Sequence, residues 1–297
     1  MQQKNTFSRK TQTIHTTAST EYNIEYYHYS PTGFSKTIYL QALHGTEIVT
    51  PILYELLQKI ETEQLSHRII IVPIANPFSL DSQIMLQTYN NIHTNASNCL
   101  NYNRLHNTTP FEAHIVKSLL DISQNADIVC DLHCAYESAE HIYCHTDSID
   151  LAKKFSIDNI ITWQEPSAFE DTQHTLKKAF TLELGASRST SKQRVTYTDH
   201  IMKFLKHLDQ NANKNTSETT YAGPIRSQNQ LSSFYAPYGV LVWHSEIKRY
   251  KAGDLAAKIY TIAGIKDIHR NKDSLFLIKN AIHAPYADQE IAQYLEM

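Results

Sequence analysis

Apolar positions in the first half of the chain fall into short solid runs, separated by stretches with a helical period. Residues 37–42 (TIYLQA) and 68–74 (RIIIVPI) are short, apolar and rich in β-branched side chains, which suits strands covered on both faces of a parallel sheet. Between them, residues 48–60 place Ile48, Leu53, Leu56, Leu57 and Ile60 on one stripe of a helix. After a polar interval at 79–109, residues 111–122 read as a second helix and 127–132 (DIVCDL) as another buried strand. Residues 159–163 (NIITW) and 179–184 (AFTLEL) add two strands, and 189–208 a closing helix. Segments 14–17 and 22–29 suit a hairpin at one sheet edge. The pattern predicts an α/β fold, a mainly parallel (mixed) sheet flanked by helices.

The pattern changes at 208–220, where LDQNANKNTSETT holds almost no apolar residue and reads as a linker. Beyond it, 235–243, 255–260, 274–278 and 281–284 are short strand-like runs between Gly or charged turns, which predicts a small C-terminal all-β domain. The expected division is a catalytic domain at 1–207, a linker at 208–222 and a β-rich domain at 223–297.

Composition narrows the partner. Of 297 residues, 27 are Lys or Arg and 30 are Asp or Glu, a formal charge of −3. Neither sign forms a long run, so a nucleic-acid or acidic-membrane surface is not indicated, and a small molecule or short peptide is the expected partner. The N-terminal MQQKNTFSRKTQTIHTT has no apolar core, and no segment approaches the roughly 18 uninterrupted apolar residues of a membrane span; a cytoplasmic setting is expected. Cys99, Cys130, Cys134 and Cys144 cluster mid-chain, unlike the framework of a small secreted domain, and read as reduced thiols.

Ligand sites of open α/β sheets lie at the carboxyl ends of strands, and three such ends are unusual. TIYLQALHGTE brings His44 and Glu47, DIVCDLHC brings Asp131 and His133, and AFTLELG brings Glu183. His44 and Glu47, three apart across a glycine, suit chelation of one ion from a tight turn. A chain with 16 histidines also produces such a pair by chance, and a helix-capping pair is the plain alternative. Asp131 and His133 share a strand face; the carboxylate suits a partner that orients a metal-ligating imidazole, although a satisfied core histidine looks the same in sequence. Together His44, Glu47 and His133 form the His₂Glu set that leaves one zinc position open, as in catalytic sites. Glu183 ends an otherwise apolar run, where a carboxylate is costly unless paired or functional. It suits general acid/base work on a zinc-bound water, or else a salt bridge to Arg188 or a lysine. Cys130 and Cys134 flank this strand end and read as packing residues, since Cys134 faces away from His133.

The ordered series LHGTE, NPFSL at 76–80, NYNR at 101–104, DLH and TLELG resembles the zinc carboxypeptidase superfamily, and within it the succinylglutamate desuccinylase/aspartoacylase branch. The resemblance covers about residues 37–185 and implies one Zn²⁺ per chain held by His44, Glu47 and His133, with Glu183 as the catalytic glutamate. It also implies that Asn103 and Arg104 clamp a substrate carboxylate, a role that suits the paired donors of a guanidinium; outside the motif Arg104 would read as an exposed arginine. The polar linker and β-rich tail also resemble that branch, where the tail's position implies that it limits substrate size at the pocket mouth.

Two departures stand out. The commoner Asp-Leu-Asn-Arg-x-Phe is here Asn101, Tyr102, Asn103, Arg104, Leu105 and His106, and 69–103 holds no Arg or Lys where relatives carry an oxyanion-steadying arginine. Losing such a donor costs roughly 10²-fold or more in rate; zinc, His93, His106 or Arg188 are the available substitutes. The sequence thus points to a zinc-dependent deacylase of N-acyl amino acids. The rivals are a metallocarboxypeptidase acting on peptides and a non-catalytic zinc- or ligand-binding protein of the same fold.

Overall fold

A computed structural model of the chain describes residues 7–15, 21–42, 49–63, 65–76, 86–89, 92–95, 110–135, 137–157, 159–163, 178–186, 191–210, 225–227, 231–236, 239–243, 249–261, 264–270, 274–279, 283–284 and 289–296. Its first strands are β1 (Ser8–His15), β2 (Glu21–Tyr29), β3 (Thr37–Ala42), β4 (Arg68–Val72), β5 (Leu86–Tyr89) and β6 (Ile92–Asn95). They are followed by β7 (Ile128–Ala135), β8 (Glu137–Ser138), β9 (His141–His145), β10 (Ile160–Trp163), β11 (Ala179–Ala186) and β12 (Ile225–Ser227). The long helices are α1 (Thr50–Thr62), α2 (Pro110–Ser123) and α3 (Ser191–Gln210).

A nine-stranded sheet in the order β1, β2, β4, β3, β7, β11, β9, β10, β12 forms the centre. Its middle, from β4 through β3 and β7 to β11, is parallel. The β1/β2 hairpin is antiparallel and joins β4 antiparallel at one edge. The mainly parallel, mixed α/β fold expected from the apolar runs is therefore present. β3 is buried along its whole length, as a strand with helices on both faces must be. The hairpin begins earlier than its apolar residues suggest, because polar positions from Ser8 to Thr13 pair in register with β2.

Strand alternation sorts the core into two layers. Leu40, Cys130, Leu132, Cys134, Leu182 and Leu184 face one way and pack with Leu53 and Leu56 of α1 and with Phe204 and Leu205 of α3. Tyr39 and Val129 face the other way and pack with Ile115, Val116 and Leu119 of α2. α1 carries the expected stripe of Leu53, Leu56, Leu57 and Ile60, with Ile52 added; Ile48 lies outside the described residues. Pro51 sits in the first turn of α1, where its missing N–H costs nothing.

α3 continues to Gln210, past the start expected for the linker at 208, because Leu208 is buried in the core; 211–224 lie outside the described residues. From 225 onward every described element is a strand. After β12 come β13 (Leu231–Ala236), β14 (Gly239–Trp243), β15 (Arg249–Tyr250), β16 (Leu255–Thr261), β17 (Gly264–His269), β18 (Ser274–Lys279), β19 (His283–Ala284) and β20 (Gln289–Glu296). β12 joins the central sheet beside β10, and β8, from the first part of the chain, pairs with β18.

Candidate active site

The carboxyl half of β7 holds Asp131 and His133 on the sheet face that also carries Val129. Asp131 Oδ2 lies 2.9 Å from His133 Nε2. A carboxylate on Nε2 sets the ring's orientation and leaves Nδ1 as the nitrogen a metal would take. Asp131 is buried, and its Oδ1 has no hydrogen-bond partner among the described residues.

β11 brings Glu183 directly beside His133 in the parallel register, and β9 brings His141 directly beside Glu183 from the other side. Directly opposed residues in a sheet share a face, so His133, Glu183 and His141 form one row across three strands. The row before it is Gln41, Asp131, Thr181 and Tyr143, and Tyr39 Oη donates to Gln41 Oε1 at 2.7 Å. On this face the packing against α2 reaches Val129 in β7, one position short of the polar band on that face. Glu183 is 8% exposed, a depth at which a carboxylate requires polar company.

The backbone beyond Glu183 is irregular. The β7/β11 register shifts between Glu183 and Ala186, and Gly185 has a φ of +83°. A Cβ on Gly185 would stand 2.5 Å from Tyr197 Oη of α3, so both backbone and neighbour require glycine there.

The ends of β3 and β4 are tied together at the same sheet edge. Ala75 N donates to Ala42 O at 3.0 Å, and Thr50 Oγ1, at the start of α1, donates to Pro73 O at 2.8 Å. Ala42 pairs with Leu132, one residue before His133, and His44 follows Ala42 by two residues in sequence. His44 and Glu47 themselves, like Asn103, Arg104, His106 and Arg188, lie outside the described residues; His93 is described only through the backbone of β6. Among the described residues no group of three His, Cys, Asp or Glu side chains is placed to hold a metal; of the expected set only His133 is described. Asn76, the first residue of NPFSL, is buried just beyond β4.

The described cysteines Cys130, Cys134 and Cys144 are buried thiols, with no disulfide among the described residues. Burial, and then the neighbouring Asp131 carboxylate, push the Cys130 thiol far above its ordinary pKa, so it stays protonated and is a poor metal ligand.

The family of succinylglutamate desuccinylase/aspartoacylase catalytic domains matches residues 35–208, the span that contains this polar band. The chain belongs to this family. Its reaction class is accordingly that of a deacylase-type hydrolase of amide bonds. No curated protein matches significantly in sequence. Solved structures with the same fold include a protein of Shewanella frigidimarina assigned to the succinylglutamate desuccinylase/aspartoacylase group, with a TM-score of 0.78, 16% identity and 98% of both chains covered. An aspartoacylase family protein of Mesorhizobium loti has a TM-score of 0.74 at 16% identity, covering 99% of this chain and 96% of its own. The product-bound ectoine utilization protein EutE of Ruegeria pomeroyi has a TM-score of 0.70 at 16% identity, with 98% of both chains covered. These likenesses are likenesses of fold over nearly the whole length.

His141 and Tyr143 were not singled out by the sequence patterns. The signal was the alternation in HIYCH, where the polar-tipped rings of His141, Tyr143 and His145 alternate with Ile142 and Cys144. Among the described residues no helix is long and apolar enough to cross a membrane.

Proposed function

We propose that this family member is a zinc-dependent deacylase that hydrolyses the amide bond of an N-acyl amino acid. His44, Glu47 and His133 would hold one zinc, and Glu183 would move the protons. The observation that carries the reading is the Asp131 carboxylate on His133 Nε2 at 2.9 Å, with Glu183 next to His133 across the register. An imidazole oriented in this way and a buried glutamate one strand away fit the chemistry of a catalytic zinc site. When bound, zinc supplies a Lewis acid that polarises the scissile carbonyl and acidifies water.

The protein's own residues do the rest. Asp131 holds His133 in a single tautomer. Glu183 accepts a proton from the attacking water and delivers it to the departing amine nitrogen. Asn103 and Arg104 grip a free carboxylate on the substrate and so select which amide is presented. The substrate in this reading is a small molecule with a free carboxylate; a short peptide is the alternative. The setting is cytoplasmic in this reading, and the segment from 223 onward limits access to the site.

Elemental mass spectrometry of the purified protein tests the site. The expected result is about one zinc per chain, lost in His44→Ala and in His133→Ala but kept in Glu183→Gln. The last variant should hydrolyse N-acyl amino acids roughly 10²–10⁴-fold more slowly. A protein that takes up no zinc even when it is supplied would overturn the proposal.

A further inference from the structure

We propose that Lys36, Lys154, Lys178 and His207, gathered at the amino ends of the central strands, form a binding site for a small phosphate-bearing anion. Lys36 immediately precedes β3 and Lys178 immediately precedes β11. Their main chains already run in the sheet, since Lys36 O accepts from Arg68 N at 2.9 Å and Lys178 O accepts from Val129 N at 3.0 Å. Side chains two apart on a strand share a face. Lys36 therefore lies on the face of Ile38, and Lys178 on the face of Phe180, both in the layer packed by α1 and α3. Only β7 stands between β3 and β11, which puts the two lysine positions about 10 Å apart. The short 3₁₀ turn Lys153–Phe155 brings the third cation. Phe155 stacks on Phe204 of α3 with ring centroids 3.6 Å apart and tilts against Phe180 of β11 at 5.5 Å. Lys154 precedes Phe155, and His207 follows Phe204 by one helical turn, so four segments distant in sequence meet at one corner.

The charges act on one another. Lys36 and Lys178 are exposed, and Lys154 and His207 are half-buried. Burial, and then the Lys36 ammonium, hold Lys154 below its ordinary pKa, with Lys178 acting the same way and Asp150 against them. Burial, and then Lys154, lower the His207 imidazole in turn. Like charges gathered in this way work against folding, and the carboxylates of this corner are engaged elsewhere. Asp150 is held by Lys153 at 2.8 Å. Asp209 serves His67 Nε2 at 2.8 Å and Ser66 Oγ at 2.7 Å, and Asp127 accepts from Thr37 N at 2.7 Å. Among the described residues Lys36, Lys154 and Lys178 form no ion pair. The negative end of α3 accounts for a cation in its own last turn, such as His207. That effect fades within the turn and does not explain lysines brought by two strands and a separate turn. Three ammonium groups and an imidazole supply the donors that phosphate oxygens take. The exposed carboxylates Asp147 and Asp150 flank the patch beside the 3₁₀ turn and repel a long polyanion such as a nucleic acid. Along β11, Lys178 and Glu183 are five residues apart, about 17 Å of strand, so the anion site stands apart from the candidate active site.

Titration calorimetry of the full chain at constant ionic strength tests the site, with inorganic phosphate and phenyl phosphate as separate probes. The expected result is saturable binding of at least one probe, at about one site per chain and with a Kd below about 1 mM. Lys154→Gln and Lys178→Gln should each weaken it by about fivefold or more. Lys192→Gln, which removes the same charge in the first turn of α3, should change it by less than about twofold. His133→Ala should retain binding, which separates this site from an anion held at a metal. Tighter binding of inorganic phosphate identifies the free ion as the ligand, and tighter binding of the ester identifies a phosphorylated small molecule. The proposal is overturned if neither probe binds that tightly, if neither lysine variant weakens binding by that much, or if binding is lost in His133→Ala and kept in both lysine variants. A parent protein that captures a short oligonucleotide but neither probe also overturns it, in favour of a nucleic-acid surface.

Discussion

At the scale of single residues, the backbone next to Glu183 is as constrained as the side chain. Gly185 has a left-handed φ of +83° and faces Tyr197 Oη at 2.5 Å from where a Cβ would stand. Tyr197 is buried in the core, so its hydroxyl has little room to withdraw. Gly185→Ala therefore meets two penalties, a left-handed backbone worth about 1–3 kcal/mol for a residue with a side chain and the collision itself. Thermal or urea unfolding should show a clear loss of stability. Adding Tyr197→Phe should restore the part due to the hydroxyl but not the part due to φ. If Gly185→Ala unfolds like the parent, the tight passage beside Glu183 is wrong. The pairing of Asp131 with His133 was legible at this scale, because strand alternation puts them on one face whatever the rest of the chain does. The place of His141 was not, because it depends on which strand lies beside β11.

At the scale of elements, α1 and α3 are joined by apolar packing beneath and by ion pairs above. Leu56 and Phe204 belong to one core cluster. On the surface Lys59 pairs with Asp199, and Lys206 reaches Glu63 at 2.6 Å. The two kinds of contact differ in weight. Leu56→Ala removes fully buried methyl groups and should cost about 2–5 kcal/mol. Lys59→Ala breaks a half-exposed ion pair and should cost no more than about 1 kcal/mol. Urea unfolding of the two variants checks this, and equal losses would mean that the helices are held by their charges. Both helices were visible in sequence, since the stripe on α1 has a helical period and α3 alternates apolar and charged positions at the same spacing. The limits were less visible. α3 runs into the polar tract because burial of Leu208 rewards another turn, and β12 joins the central sheet beside β10.

At the scale of the whole molecule, buried and half-buried histidines tie stability to pH. Burial is the first cause that lowers the imidazole pKa values of His28, His67 and His207. For His67 it outweighs the nearby Asp209 carboxylate, whose Oδ1 lies 2.8 Å from Nε2 and which acts in the opposite direction. A folded pKa below the unfolded one means that the unfolded chain binds more protons. Stability is then intact above the ordinary histidine value of about 6.5 and falls as the pH drops below it. The urea midpoint should decrease between pH 7.5 and pH 5.5, and less so in His67→Asn. A midpoint unchanged over that interval would contradict the assignment.

The sequence alone determined what depends on local order: buried parallel strands, the helical stripes, the shared face of Asp131 and His133, and the ordered motifs that place the chain in its family. Those features are properties of period and spacing, which survive without knowledge of neighbours. Only the tertiary structure decided what depends on strand order. It brought Glu183 between His133 and His141, although 42 residues separate Glu183 from His141 in the chain. It also sent Ile225–Ser227 back to the central sheet and paired Glu137–Ser138 with β18. Sheet pairing is a choice among distant partners with similar apolar patterns, and it is made by the packing of the whole chain, which no local window contains.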